Sequence, residues 1–119
     1  NCYKYAYYIS LGLPFSNYLT TGYIYGYSDK SKFLHSWIET TINGEDYVID
    51  ATLNAMINKK GYYLIQHAKP INKISNQTFR EDLNNYPMID NKNIPMEVYY
   101  VFRDEIISEF EKKKNELER

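Results

Sequence analysis

At 119 residues the chain is the size of one domain, long enough to bury a core without disulfide or metal staples. A net charge of -1 with no long basic stripe argues against nucleic acid as a partner, and no apolar run approaches the ~20 residues of a membrane span. One cysteine and two histidines exclude an intramolecular disulfide and a Cys/His zinc cage, no EF-hand loop is present, and no cofactor is implied.

A lone cysteine fits a reducing compartment. Asn1 in place of Met is expected of a processed product or a piece of something longer, so localisation is left unassigned. Tyrosine is abundant, 14 residues crowded toward the first third. Tyrosines can stack on bases, but only beside cations that hold phosphates. One lysine and no arginine lie between Cys2 and Tyr27, so these rings read as core and cleft wall.

In chain order, residues 2 to 11 read as a short helix. Tyr5, Tyr8, Ile9 and Gly12 recur at helical spacing, and Gly12 with Pro14 just beyond it stops the helix. Asn1 sits at the N-cap position, which puts Cys2 in the first turn, where unpaired N–H groups and the helix dipole favour a thiolate. Position alone leaves open the other reading, a small buried hydrophobe. Residues 18 to 27 read as a strand in which Gly22 and Gly26 mark a bulge or a close backbone approach. Residues 28 to 33 read as a polar loop.

Residues 35 to 52 are the most informative stretch. Two runs rich in β-branched and aromatic residues flank Asn43-Gly44, the strongest short hairpin signal, because a type I′ turn needs φ > 0 at both central residues. In that register Ile42 faces Glu45, Glu39 faces Val48, Trp37 faces Asp50 and His35 faces Thr52. Side chains alternate with period two, so His35, Trp37 and Asp50 share one sheet face. His35 and Asp50 are then diagonal neighbours roughly 7–8 Å apart at the backbone, and a turn one residue longer would put them on opposite faces.

Beyond Thr52 the pattern weakens. Leu53 to Ile57 is irregular, Tyr62 to Gln66 is a strand or a helical turn, and Pro70 to Ile74 is a short strand. Thr78 to Tyr86 is a brief helix capped near Asn76 or Gln77, and Pro87 to Pro95 is a loop. From Met96 an i, i+4 stripe of Val98, Phe102, Ile106 and Phe110 predicts an amphipathic helix, docked at its front half and solvated behind. His67 reads as an ordinary histidine, and Ser10, Ser16 and Ser36 are poor rivals as nucleophiles. The fold class is α+β: an N-terminal Cys helix on a small antiparallel sheet, with a long C-terminal helix, in one domain spanning 1–119.

A cysteine at a helix start, then His and Asp on adjacent strands, meets the recipe for an activated nucleophile. Cys2 is the candidate nucleophile, His35 the base, and Asp50 the group that orients the base. Each has a bland alternative: a hydrophobe at Cys2, an edge histidine at His35, and a turn cap over Thr52 at Asp50.

The stretches Asn1-Cys2, Ala6, Gly12-Leu13-Pro14, Thr21-Gly22-Tyr23, His35-Ser36-Trp37-Ile38-Glu39 and Asp46 to Thr52 together resemble the core of the transglutaminase-like cysteine enzymes. The His-x-Trp-x-Glu and Asp-x-Thr patterns carry the likeness, which covers residues 1 to about 55; residues 56 to 119, with the helix from 96, are not covered. The resemblance implies a papain-like fold, catalytic roles for Cys2, His35 and Asp50, and acyl transfer on a peptide or protein amide through a thioester. The family includes proteases, amidases, transglutaminases and members that have lost activity. Its members have chain ahead of the cysteine that helps build the cleft, so a chain starting at Asn1 is expected to lack part of it. Two other readings stand beside the enzyme: a catalytically silent module whose tyrosine-rich cleft binds a peptide or protein, and an interaction domain that associates through the C-terminal helix.

Overall fold

Asn43 and Gly44 form the expected turn, with φ of 51° and 84°, and it fixes the register of the strands on either side. A computed structural model describes residues 2–25, 31–82 and 96–116, without the side chains of Cys2 and residues 96–100. Asn1 as N-cap, the end of the expected strand at 26–27, loop residues 28–30, the helix end and loop over 83–95, and the Val98 side chain lie outside this set.

The elements run α1 (Cys2–Gly12), β1 (Tyr18–Tyr25), β2 (Lys32–Ile42), β3 (Glu45–Asp50), β4 (Ala55–Asn58), α2 (Lys59–Gln66), β5 (Lys69–Ser75), α3 (Asn76–Glu81) and α4 (Met96–Glu116). The fold is α+β, with one antiparallel sheet in the order β4-β3-β2-β1-β5. The sheet has five strands: the three expected over 18–27 and 35–52, the short one expected at 70–74, and β4, which the sequence reading did not foresee.

Several differences have local causes. Lys32 and Phe33, expected in a loop, pair with Tyr25 and Ile24 and extend β2. The irregular stretch after Thr52 contains a tight turn with Asn54 at φ 54°, and the chain returns as β4; asparagine tolerates this left-handed conformation. The ambiguous segment at Tyr62 is helical. Asn58 accepts N–H bonds from Lys60 and Gly61 at its start, and His67 at φ 50° donates its N–H to Tyr63 at its end. His67 is thus a helix cap. The cap of α3 is Ser75, not Asn76 or Gln77, since its side chain accepts from Gln77 N–H.

The two sheet faces carry separate cores. Leu19, Ile38 and Ile49 point to the face covered by Ala6, Tyr7 and Ile9 of α1, Phe79 of α3, and Phe102 and Ile106 of α4. Trp37 and Val48 point to the other face, where Tyr62 of α2 closes over them with Ile24, Ile57 and Tyr63 at the margin. The backbone N–H of buried Asn17 donates to Asn76 Oδ1 and that of Asn76 donates to the Asn17 carbonyl, and both side chains reach Ser10, tying α1, β1 and α3 together. Arg80 donates to the carbonyls of Leu11 and Leu13 at the end of α1, where a cation complements the helix dipole.

Gly22 confirms the expected close approach. A Cβ there would lie 2.2 Å from the Lys69 carbonyl oxygen, and the β1–β5 register shifts between Thr21 and Gly22. The rear of α4 is largely exposed, as expected, and touches the hairpin at two points: Asn43 donates to the Lys114 carbonyl at 2.8 Å, and Lys113 sits over the Tyr47 ring.

Candidate active site

The β2–β3 ladder follows the expected register from Ile42↔Glu45 to Ile38↔Ile49 and stops there. The ladder does not extend to the expected Trp37–Asp50 and His35–Thr52 pairings, and the chain turns after Asp50, which pairs on its other edge with Ala55 of β4. On its other side His35 faces Gly22 of β1. The parity of the hairpin still puts His35 and Asp50 on one face. His35 Nε2 lies 2.8 Å from Asp50 Oδ2, and the two residues are 7% and 1% exposed.

Asp50 is saturated with donors. Oδ1 accepts the backbone N–H of Thr52 at 2.9 Å and of Leu53 at 3.3 Å. Oδ2 accepts the Tyr62 hydroxyl at 2.6 Å in addition to its contact with His35. Asp50 therefore caps the turn through one oxygen, as the plainer reading of the sequence expected, and meets the imidazole through the other. Burial alone would raise this carboxyl's pKa; the bonds from His35 and Tyr62, the charge of His35 and the Leu53 amide outweigh it and hold the group below its ordinary value.

Trp37, fully buried, has its ring centroid 6.1 Å from His35 and 5.8 Å from Tyr62. Its indole N–H donates to Glu39 Oε2 at 2.8 Å. The Tyr63 hydroxyl donates to the same oxygen, and the Lys59 and Lys73 ammonium groups each lie 3.1 Å from Oε1. Burial again opposes ionisation, and these four donors overcome it, so the Glu39 carboxyl also titrates below its ordinary range. The Tyr63 phenol, desolvated and bound to that carboxylate, is pushed well above the tyrosine range.

Cys2 opens α1 in the described backbone, and its side chain lies outside the described residues. Of the three residues singled out in the sequence, the structure brings His35 and Asp50 together. Helix α1 packs against the Ile38 face of the sheet, opposite the imidazole, but the end of the β2–β3 ladder leaves β2 without a β3 partner at His35. Sequence reasoning missed Tyr62, Tyr63, Lys59 and Lys73. The strand period puts Glu39 on the face of His35 and Trp37 and could have given it a role, whereas the two tyrosines lie where helix and strand were not distinguished.

Among the described residues no cluster of three His, Cys, Asp or Glu side chains is placed to hold a metal ion, and no helix is long and apolar enough to cross a membrane. Compared with protein-family models, curated proteins and solved structures, the chain matches none.

Proposed function

We propose that the chain is a thiol-dependent acyl-transfer domain of the transglutaminase-like, papain-like kind, acting on a peptide or protein amide. The buried His35–Asp50 pair is the observation that carries this reading. A histidine whose Nε2 is engaged by a buried carboxylate is fixed in ring orientation, leaving Nδ1 as the nitrogen that takes the thiol proton. The helix that opens at Cys2 supplies the N–H groups and dipole that favour a thiolate.

In this mechanism the Cys2 thiolate attacks the amide carbonyl, and backbone N–H groups at the start of α1 meet the oxyanion. The imidazolium of His35 protonates the leaving amine as the C–N bond breaks, which leaves a thioester on Cys2. Water or a second amine, deprotonated by the same imidazole, attacks the thioester, and the thiolate departs. Asp50 keeps the imidazole aligned and stabilises its cationic form throughout.

The test is trapping of the acyl-enzyme. With p-nitrophenyl acetate as acyl donor, intact-mass analysis should show one acetyl group on Cys2. The adduct should be absent in Cys2→Ala and form at least ~100-fold more slowly in His35→Ala, the scale of a lost general base. Equal acetylation of wild type and His35→Ala would contradict the proposal.

A further inference from the structure

Resting on that triad, we propose that Tyr62 is a positioning residue of the site: its phenol shares Asp50 Oδ2 with His35, and so sets both the orientation of the imidazole and how firmly the carboxylate holds the imidazolium. Tyr62 lies on α2, outside the stretch whose residues suggested the triad, and is 1% exposed. Its hydroxyl is 2.6 Å from the oxygen that lies 2.8 Å from His35 Nε2.

A carboxylate offers about four acceptor positions. Asp50 fills them with two backbone amides, one imidazole and one phenol. With the amides on Oδ1 and the phenol on Oδ2, the carboxylate plane has no freedom to rotate, and the imidazole is aligned by a fixed partner. The phenol also withdraws charge from the oxygen that the imidazole uses. Two donors on one oxygen compete, so a neutral phenol makes Asp50 a weaker base toward His35 than a carboxylate with one side-chain donor. Tyr62 thereby limits how far the proton equilibrium between Cys2 and His35 leans toward the ion pair.

The other charged groups of this sheet face form a separate set. Lys59 and Tyr63 of α2 and Lys73 of β5 each bond to Glu39 of β2. Glu39 lies four residues along the strand from His35, roughly 13 Å at strand spacing. The Glu39 carboxyl titrates below its ordinary range and the Tyr63 phenol above its own, so neither changes charge where a thiol–imidazole pair titrates, and neither shapes the profile.

The experiment compares wild type, Tyr62→Phe and a chain with 3,5-difluorotyrosine at position 62 alone. Two quantities are followed against pH: the rate of Cys2 alkylation by iodoacetamide and the His35 ring resonances by NMR. Tyr62→Phe removes the competing donor, so the alkylation midpoint should fall and the imidazole midpoint should rise, each by roughly half a pH unit. That is a fraction of the about 1–2 units that a whole hydrogen bond to a charged acceptor is worth, because the phenol acts on the imidazole only through Asp50. Difluorotyrosine is a stronger donor and should move both midpoints the other way. Unmoved midpoints, or shifts in the same direction for both variants, would overturn the proposal, even with slower rates or lower melting temperature. If Tyr62→Phe does not fold, the difluorotyrosine chain alone decides by the direction of its shift. The NMR titration needs no reactive thiol: an inert Cys2 with shifted His35 resonances would reject the acyl-transfer reading and keep the link from Tyr62 to His35.

Discussion

Two buried carboxylates organise the Trp37 face of the sheet, and both are ionised because of what surrounds them. Asp50 and Glu39 each titrate below their ordinary values of 3.8 and 4.5 despite burial. A carboxyl whose pKa is depressed by folding stabilises the fold above its unfolded value, and that contribution is lost as pH falls through the depressed one. Thermal stability should therefore be flat from neutral pH down to about 5, then fall steeply. Glu39→Gln should lower stability at neutral pH by about 2–4 kcal/mol, since it unpairs Lys59 and Lys73 and loses a charged acceptor for Trp37 and Tyr63. It should also flatten the acid slope. Denaturant titrations of both chains from pH 3 to pH 7 check this, and an unchanged acid slope would mean that Glu39 is not one of the titrating groups.

Among the elements, the hairpin was the most legible because its information is local. Asn43-Gly44 sets the turn, the turn sets the register, and the register puts His35 and Asp50 on one face. The strand after Thr52 was not legible, because its turn rests on Asn54 and on amide bonds to the Asp50 side chain, not on a Gly or Pro signal. The segment at Tyr62 was not legible either, since an eight-residue helix carries little periodicity and is fixed by its Asn58 and His67 caps. Cys2, His35 and Asp50 could be chosen from the sequence, but Tyr62 could not, because its bond to Asp50 depends on how α2 packs over the sheet. Gly22 was readable as a position where a side chain is excluded, without the identity of what excludes it. The structure supplies that in the Lys69 carbonyl. Gly22→Ala should push β5 from β1 and lower stability by about 1–3 kcal/mol, the cost of overpacking against backbone. Hydrogen exchange should show lost protection confined first to β1 and β5. Full protection there would contradict the close approach.

For the whole molecule, the two cores divide the labour. The α1, α3 and α4 side holds the fold together, and the α2 side carries the His35–Asp50 and Glu39 networks. The stripe on α4 belongs to the first of these: Phe102 and Ile106 are buried, and Phe110 stacks on Phe15 at 3.8 Å. Phe102, Ile106 and Phe110 thus pack within the domain. Phe102→Ala should accordingly cost about 3–5 kcal/mol of stability, as for a buried aromatic, while sedimentation of the folded fraction stays that of wild type. A variant of native stability with altered sedimentation would return the helix to a role in assembly.

In the proposed site Cys2 and His35 form one thiol–imidazole pair with Asp50 behind it. The alkylation rate of Cys2 against pH, measured for wild type and His35→Ala, tests it most directly. The wild-type thiol should titrate well below the ~8.5 of a free cysteine, and His35→Ala should move it back toward that value. A thiol that titrates alike in both chains would contradict the claim, leaving His35 and Asp50 as a buried pair that orients no nucleophile.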